Sequence, residues 1–387
     1  MTATAPDGSE DFAPADHAEE QKTLADTPLV KYFDAGVRFG ASDVLLRGGE
    51  IPRLRVRGEL KALDVEPLDA ALFETWVESS LSPSQWAHYA RHGSIDVGMD
   101  FPLKKGTQRF RINIYRTRGR SAIAARHVSD TIKGFDDLHL PAAVANLADL
   151  RHGLVLICGI TGSGKSTTIA AILQRINEQR NVHMITIEDP IEYLFKDSKA
   201  VISQREIGID VPDFSTALRA LVREDPDVVF IGELRDKETF EAALQASETG
   251  HLVFSTIHAS SASQAFGRIY DLFNPDERES IRHMLAYHMQ AILYQKLVAT
   301  IRDDPPRVPA VEILRNNPTV RKYILDGREG ELLEVIKGAR EDNMEAFLDS
   351  LVDLVEKQLI HPRTAQAEAP SAEEVKMRLR GIRTSVT

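Results

Sequence analysis

One cysteine, Cys158, stands in 387 residues. That excludes an intramolecular disulfide framework and any zinc site built from several cysteines. No apolar run approaches the roughly 20 residues that a membrane-spanning helix requires. The first residues lack a basic stretch followed by an apolar one, so no secretory signal is expected. Basic residues are in the minority, with 47 Lys and Arg against 58 Asp and Glu, for a formal net charge of −11. Neutralising a phosphate backbone calls for a basic face, so nucleic acid is not expected as the main partner. The 43% hydrophobic and 27% charged residues are those of an ordinary globular chain. From these features a cytoplasmic protein is expected.

The organisation reads in six segments. Residues 1–26 are expected to be a disordered acidic tail, because Asp7, Glu10, Asp11, Asp16, Glu19, Glu20 and Asp26 face a single Lys22. Residues 27–128 read as a small α+β domain. Residues 28–38 have apolar side chains at helical spacing, with Gly40 suited to the C-terminal cap. Residues 44–46 and 54–56 read as strands around a Gly48-Gly49 turn. Ser82-Pro83-Ser84-Gln85 spells a capping box with proline at the first helical position. Residues 95–101, 110–115 and 122–128 alternate as an antiparallel meander does. Residues 129–151 read as a linker with a short helix. Residues 152–275 carry a continuous apolar run at 154–157 and similar, largely apolar runs at 184–187, 228–231 and 252–255, separated by helical stretches. That is the rhythm of an α/β fold with a mostly parallel, doubly wound sheet. Residues 276–360 read as a helical region, with helices at 278–298, 319–325, 329–337 and 344–358. Residues 361–387 are expected to be a polar tail.

The strongest chemical signal is Gly159-Ile160-Thr161-Gly162-Ser163-Gly164-Lys165-Ser166, followed by Thr167. It matches the phosphate-binding loop in full and has the required setting, a buried strand before it and a helix after it. Glycines let successive N–H groups turn inward around phosphate oxygens. The helix N-terminus adds partial positive charge. Lys165 is expected to bridge the β- and γ-phosphates of ATP, and Ser166 to offer its hydroxyl to Mg²⁺. Such a loop needs an acidic partner at a neighbouring strand end. Gly232-Glu233 supplies it after residues 228–231, where an ordinary Walker B strand ends in Asp. A second acidic cluster, Glu188, Asp189 and Glu192, falls within five positions after another buried run. A carboxylate there can orient the attacking water. His251 and His258 frame the next strand. His258 lies at its C-terminal end, where parallel sheets bind ligands, and is the better γ-phosphate sensor. His251 is left open between a sensor and a structural histidine.

These segments in this order resemble the secretion ATPase superfamily, and within it the type IV pilus retraction ATPases. The resemblance runs from about residue 31 to about residue 360. It is carried by Ala41-Ser42-Asp43, Arg109-Phe110-Arg111-Ile112-Asn113, the phosphate-binding loop and residues 185–193, the family's Asp box. Arg223-Glu224-Asp225-Pro226-Asp227, Gly232-Glu233-Leu234-Arg235-Asp236 and residues 248–258, the His box, complete it. The resemblance implies a RecA-like P-loop core and a PAS-like N-terminal domain. It implies Glu192 as the catalytic carboxylate that polarises water, Glu233 as the acid near Mg²⁺, His258 as a γ-phosphate contact and Glu188 as support. Arginines that stabilise transition-state charge are sought among Arg109, Arg111 and Arg126 in the first domain, and Arg219 and Arg235 in the core. It further implies a homo-hexamer, peripheral at the inner face of the cytoplasmic membrane, that passes motion to a membrane platform protein of a pilus or secretion machine.

The pattern has departures. Ile160 replaces the proline usual after the first loop glycine, and the turn Arg116-Thr117-Arg118-Gly119 is shortened. Pro318-Thr319-Val320-Arg321-Lys322-Tyr323-Ile324-Leu325-Asp326 stands where retraction ATPases carry an Ala-Ile-Arg-Asn-Leu-Ile-Arg-Glu motif linked to retraction. Dot-type secretion ATPases have a similar length and layout, and an accessory retraction ATPase also fits. Pilus assembly and type II secretion ATPases usually add an N-terminal domain and a four-cysteine module, which a single cysteine and a short N-terminal region disfavour. A non-hydrolysing adaptor would have a broken catalytic set, whereas Lys165, Ser166, Glu192 and Glu233 are all present. A nucleic-acid motor is disfavoured by the acidic balance.

Overall fold

Strands that alternate apolar and polar residues fill the first third of the chain, and the central strands of the rest are largely apolar and buried. The first kind covers one face of a sheet and the second kind two. The computed structural model describes residues 23–380, apart from 57, 129, 130 and 222. It divides after Val128 into two units.

The first unit contains α1 (Val30–Arg38), β1 (Asp43–Arg47), β2 (Arg53–Val56) and β3 (Glu59–Ala62). It continues with α2 (Ala70–Ser79), α3 (Pro83–His92), β4 (Ser94–Leu103), β5 (Gly106–Thr117) and β6 (Arg120–Val128). The six strands form an antiparallel sheet in the order β3-β2-β1-β6-β5-β4. Inward residues Val44, Leu54, Phe110 and Ile112 pack on Phe33, Phe73 and Tyr89 of the helices. The capping box at Ser82 is formed in both directions, with Pro83 at the start of α3 and Gly93 in the left-handed region at its end. The expected tail ends sooner than residue 26. Thr23 caps a short 3-10 turn, Leu24–Asp26, and Leu24 is fully buried, because one leucine and a reciprocal Thr–Asp cap anchor that turn. The rest of the tail lies outside the described residues.

The second unit opens with α4 (Ala142–Ala145), β7 (Gly153–Cys158), α5 (Lys165–Gln179), β8 (His183–Glu188) and β9 (Val201–Glu206). There follow α6 (Phe214–Leu221), β10 (Val228–Ile231), α7 (Lys237–Glu248), β11 (Leu252–Ile257), α8 (Ala262–Tyr270) and α9 (Arg278–His288). After them come β12 (Met289–Ala299), β13 (Arg307–Arg315), α10 (Pro318–Leu325), α11 (Leu332–Gly338), α12 (Phe347–Glu356), α13 (Pro362–Glu368) and α14 (Ala372–Leu379). The sheet order is β13-β12-β7-β11-β10-β8-β9, parallel throughout except for β13, which runs antiparallel to β12. The α/β class expected from the apolar runs is the one observed.

Successive residues of a strand point to opposite faces. Leu154, Leu156 and Cys158 accordingly join one core with α7, α8 and α9, while Val155 and Ile157 join another with α5. Among the described residues, no helix is long and apolar enough to cross a membrane.

Three readings of this half are corrected. The helix expected over 278–298 stops at His288, and residues 289–299 are a sheet strand, so the region after 275 is not purely helical. A continuous apolar run does not distinguish a buried helix from a buried strand. The stretch read as a linker contributes Leu140, Val144 and Leu147 to the core beneath β7. In the polar tail, α13 and α14 bury Ala365 and Val375 against α12 and the β12–β13 hairpin. Small apolar anchors amid charged residues leave little periodic signal. Residues 381–387 lie outside the described part.

Candidate nucleotide site

Every residue of β7 is buried, so the chain leaves the core abruptly at Cys158 and turns through 159–164 before α5 begins. Gly164 sits in the left-handed region at φ +87°, a conformation few side chains tolerate. At Gly159 a Cβ would lie 2.4 Å from the Gln295 carbonyl oxygen, so nothing larger than glycine fits. Lys165 folds its ammonium back over the loop. Nζ donates to the carbonyls of Gly159 (2.9 Å) and Ile160 (3.2 Å). Burial lowers the Lys165 pKa from the usual lysine value, and the charges of Glu233, Cys158 and Glu192 act against that. The buried Ser163 hydroxyl has no hydrogen-bond partner among the described residues. A half-buried ammonium and an unanswered hydroxyl within a glycine turn fit a bound phosphate.

The neighbouring strand ends deliver their side chains to the same place. Glu233 follows β10 and stands between two side chains, with Arg235 Nε at 2.7 Å and His258 Nε2 at 3.0 Å. The other ring nitrogen of His258, Nδ1, faces the Gly159 carbonyl at 3.2 Å. His258 therefore ties the end of β11 to the loop after β7, and both to the acid after β10. Thr256 Oγ1 donates to the Gly232 carbonyl at 2.7 Å and fixes the level at which Glu233 emerges.

Glu188 ends β8 and is buried. Its carboxylate accepts from Thr186 Oγ1 at 2.6 Å and from Gln204 Nε2 at 3.2 Å. Burial outweighs these bonds and raises its pKa to about 7. The folded state thus holds a proton that the unfolded chain releases near the ordinary glutamate value of 4.5. Between those two values the folded state binds more protons, so stability falls as pH rises through the window. Glu188→Gln is expected to flatten this part of the stability profile between about pH 4.5 and 7. Urea unfolding at a series of pH values measures it, and an unchanged slope would refute the assignment.

Glu192 is exposed. Its backbone N–H reaches Glu188 Oε2 at 3.5 Å. Tyr193 anchors the segment, its hydroxyl 2.8 Å from Thr167 Oγ1 in the first turn of α5. Gln204 of β9 holds the same segment by a bond to the Tyr193 carbonyl and by accepting from the Phe195 N–H, both at 2.9 Å. Tyr193 closes the 185–193 stretch, but no motif marks Gln204 or Gln295. Their only signal is the capacity of an amide to bond beyond its own strand.

The remaining residues divide clearly. Thr161 and Gly162 lie in the loop, and Ser166 in the first turn of α5. Arg219 is exposed in the last turn of α6, and no contact among the described residues joins it to the loop. Arg111, Arg109 and Arg126 belong to the first unit. There Arg109 pairs with Asp100 at 3.3 Å and Arg126 with Asp43 at 3.0 Å, while Arg111 is exposed opposite Arg126. His251 lies at the other end of β11, where Nδ1 contacts the Ala246 carbonyl at 2.9 Å and Thr249 Oγ1 at 3.0 Å. It stitches a turn and is structural.

A glycine turn between a buried parallel strand and a helix, overhung by a lysine and met by acids from adjacent strand ends, defines a P-loop nucleotide-hydrolysing protein. The chain belongs to the type II/IV secretion system protein family, whose model matches residues 124–331, and it is a secretion ATPase of the pilus retraction type. It is 36% identical over 324 residues to a twitching motility protein of Neisseria gonorrhoeae, covering 84% of this chain and 86% of the relative. It is 34% identical over 330 residues to the type IV pilus retraction ATPase PilT of Pseudomonas aeruginosa, covering 85% and 94%. The solved structure of the pilus retraction motor PilT with bound ADP superposes with a TM-score of 0.82 at 36% identity, covering 90% of this chain and 99% of that one. The ATPase DotB of Legionella pneumophila superposes at 0.71 with 26% identity, covering 91% and 97%.

Proposed function

We propose that the chain is a hexameric motor that hydrolyses ATP to retract type IV pili, acting through a platform protein of the inner membrane. The observation that carries this reading is the convergence of Lys165, Glu233, Arg235 and His258 around the phosphate-binding loop. In that arrangement the loop N–H groups and Lys165 hold the β- and γ-phosphates. Glu192 takes the proton of the attacking water, and Glu188 supports its loop. His258 and Arg235 face the γ-phosphate, and Arg219 and Arg111 are further candidates for neutralising transition-state charge. Ser166 and Glu233 would hold Mg²⁺, which draws charge from the phosphate oxygens. Among the described residues no group of three or more His, Cys, Asp or Glu is placed to hold a metal. A magnesium ion here would complete its shell with phosphate and water, as it commonly does.

Retraction is favoured over a Dot-type secretion role because both identity and superposition are higher for the retraction motor. The test is to tag Glu192→Gln, expected to bind ATP and hydrolyse it slowly, and to identify what it holds in native membranes by mass spectrometry. Recovery of a pilus platform protein with pilins supports the reading. Recovery of Dot-like secretion components in their place overturns the retraction role and leaves the ATPase.

A further inference from the structure

We infer that Gln295, on the edge hairpin β12–β13, is a positioning residue of the phosphate-binding loop, an inference that rests on the ATPase reading above. Its side chain is 1% exposed, and both ends of the amide are used. Nε2 donates to the Ser163 carbonyl at 2.7 Å. Oε1 accepts from the Thr168 hydroxyl at 2.7 Å. The amide thus ties the loop to the first turn of α5. The register explains why it can. Tyr294 pairs with Cys158, the last residue of β7, so the next residue of β12 falls beside the loop's first glycine.

The bond to Ser163 has a directional consequence. In a trans peptide the C=O and the following N–H point opposite ways. Holding the Ser163 carbonyl toward β12 therefore turns the Gly164 N–H away from that strand, to the side where phosphate oxygens are bound. Without the amide donor, the Ser163 carbonyl is left buried and unpaired, and rotating the peptide relieves that at the expense of the N–H direction. Two loop glycines answer to the same residue. A Cβ at Gly164 would lie 2.8 Å from Gln295 Nε2, and one at Gly159 would lie 2.4 Å from the Gln295 carbonyl oxygen. Glycine is required at both positions by the approach of this strand as well as by the phosphate. Only a side chain that donates and accepts at once meets both demands. Glutamate lacks the donor, lysine lacks the acceptor and leucine lacks both.

The loop holds phosphates in the ground state and in the transition state alike, so its loosening appears in affinity before turnover. Full-length Gln295→Leu and Gln295→Glu are compared with the natural chain for equilibrium binding of ATP and ADP, for steady-state hydrolysis and for melting behaviour. Expected is a rise of about tenfold or more in Kd and KM, with kcat at saturation changed by less than about threefold. Gln295→Glu matches the natural side chain in size and still accepts from Thr168. It decides the matter if the leucine variant fails to fold. A folded variant that binds within about twofold of the natural chain, or one that loses kcat with unchanged affinity, overturns the inference. Failure of the natural chain itself to bind and hydrolyse ATP sinks the ATPase reading, and this inference with it. A natural chain that is active beside unaltered variants sinks this inference alone.

Discussion

Lys165→Ala is expected to reduce ATP turnover by about 10²–10³-fold, the usual loss when one preorganised donor is taken from a site of developing charge. Lys165 is the cation that overhangs the loop, 2.9 and 3.2 Å from the carbonyls of Gly159 and Ile160. Those carbonyls are poor substitutes for phosphate oxygens, so the ammonium is free to exchange them for ligand. Lys165→Arg is expected to restore little, because a planar fork does not reproduce a compact point charge. The structural consequences of the alanine change are slight, since both protein contacts are backbone carbonyls. Turnover measured beside a melting curve tests this. An alanine variant within about tenfold of the natural rate would place the phosphates elsewhere.

Glu192→Gln is expected to lower turnover by about 10²–10⁴-fold while leaving ATP affinity nearly intact, as loss of a general base does. The side chain is exposed, and its segment is held by neighbours: Tyr193 on Thr167, and Gln204 on the Tyr193 carbonyl and the Phe195 N–H. The amide variant keeps that scaffold and removes only the proton acceptor. Single-turnover hydrolysis with saturating enzyme separates chemistry from binding. If the variant hydrolyses ATP normally while Glu188→Gln does not, the base is Glu188, and Glu192 belongs to the loop's surface.

The core of the site could be read in the sequence because its signals are local. The phosphate-binding loop follows a strand apolar at every position, and such a run is what burial on both faces produces. The box at Ser82 was legible for the same reason, since cap and partner are three residues apart. Errors fall where long-range contact decides. Residues 289–299 are apolar enough for a buried helix or a buried strand, and only pairing with β7 and β13 selects the strand. Leu140, Val144 and Leu147 looked like linker residues because two short helical turns hold too few residues to show a period. Gln204 and Gln295 act by meeting backbone outside their own strands, Gln295 at a residue 132 positions away, and a lone glutamine announces nothing. His258 and His251 frame the same strand, and the sequence favours His258 as the ligand contact while leaving His251 open. Their different fates follow from which end of a parallel strand each occupies.

The bond between Gln295 and Ser163 also spans time. The two residues are 132 positions apart, and at about 5–20 residues per second a ribosome needs roughly 7–26 s to pass from one to the other. Throughout that interval β7, whose side chains are all buried in the finished sheet, has no β12 beside it. The strand that carries the nucleotide loop is among the earliest parts of its sheet to be made and among the last to be flanked. The nascent chain must therefore shelter an adhesive apolar strand for many seconds before its active site can close.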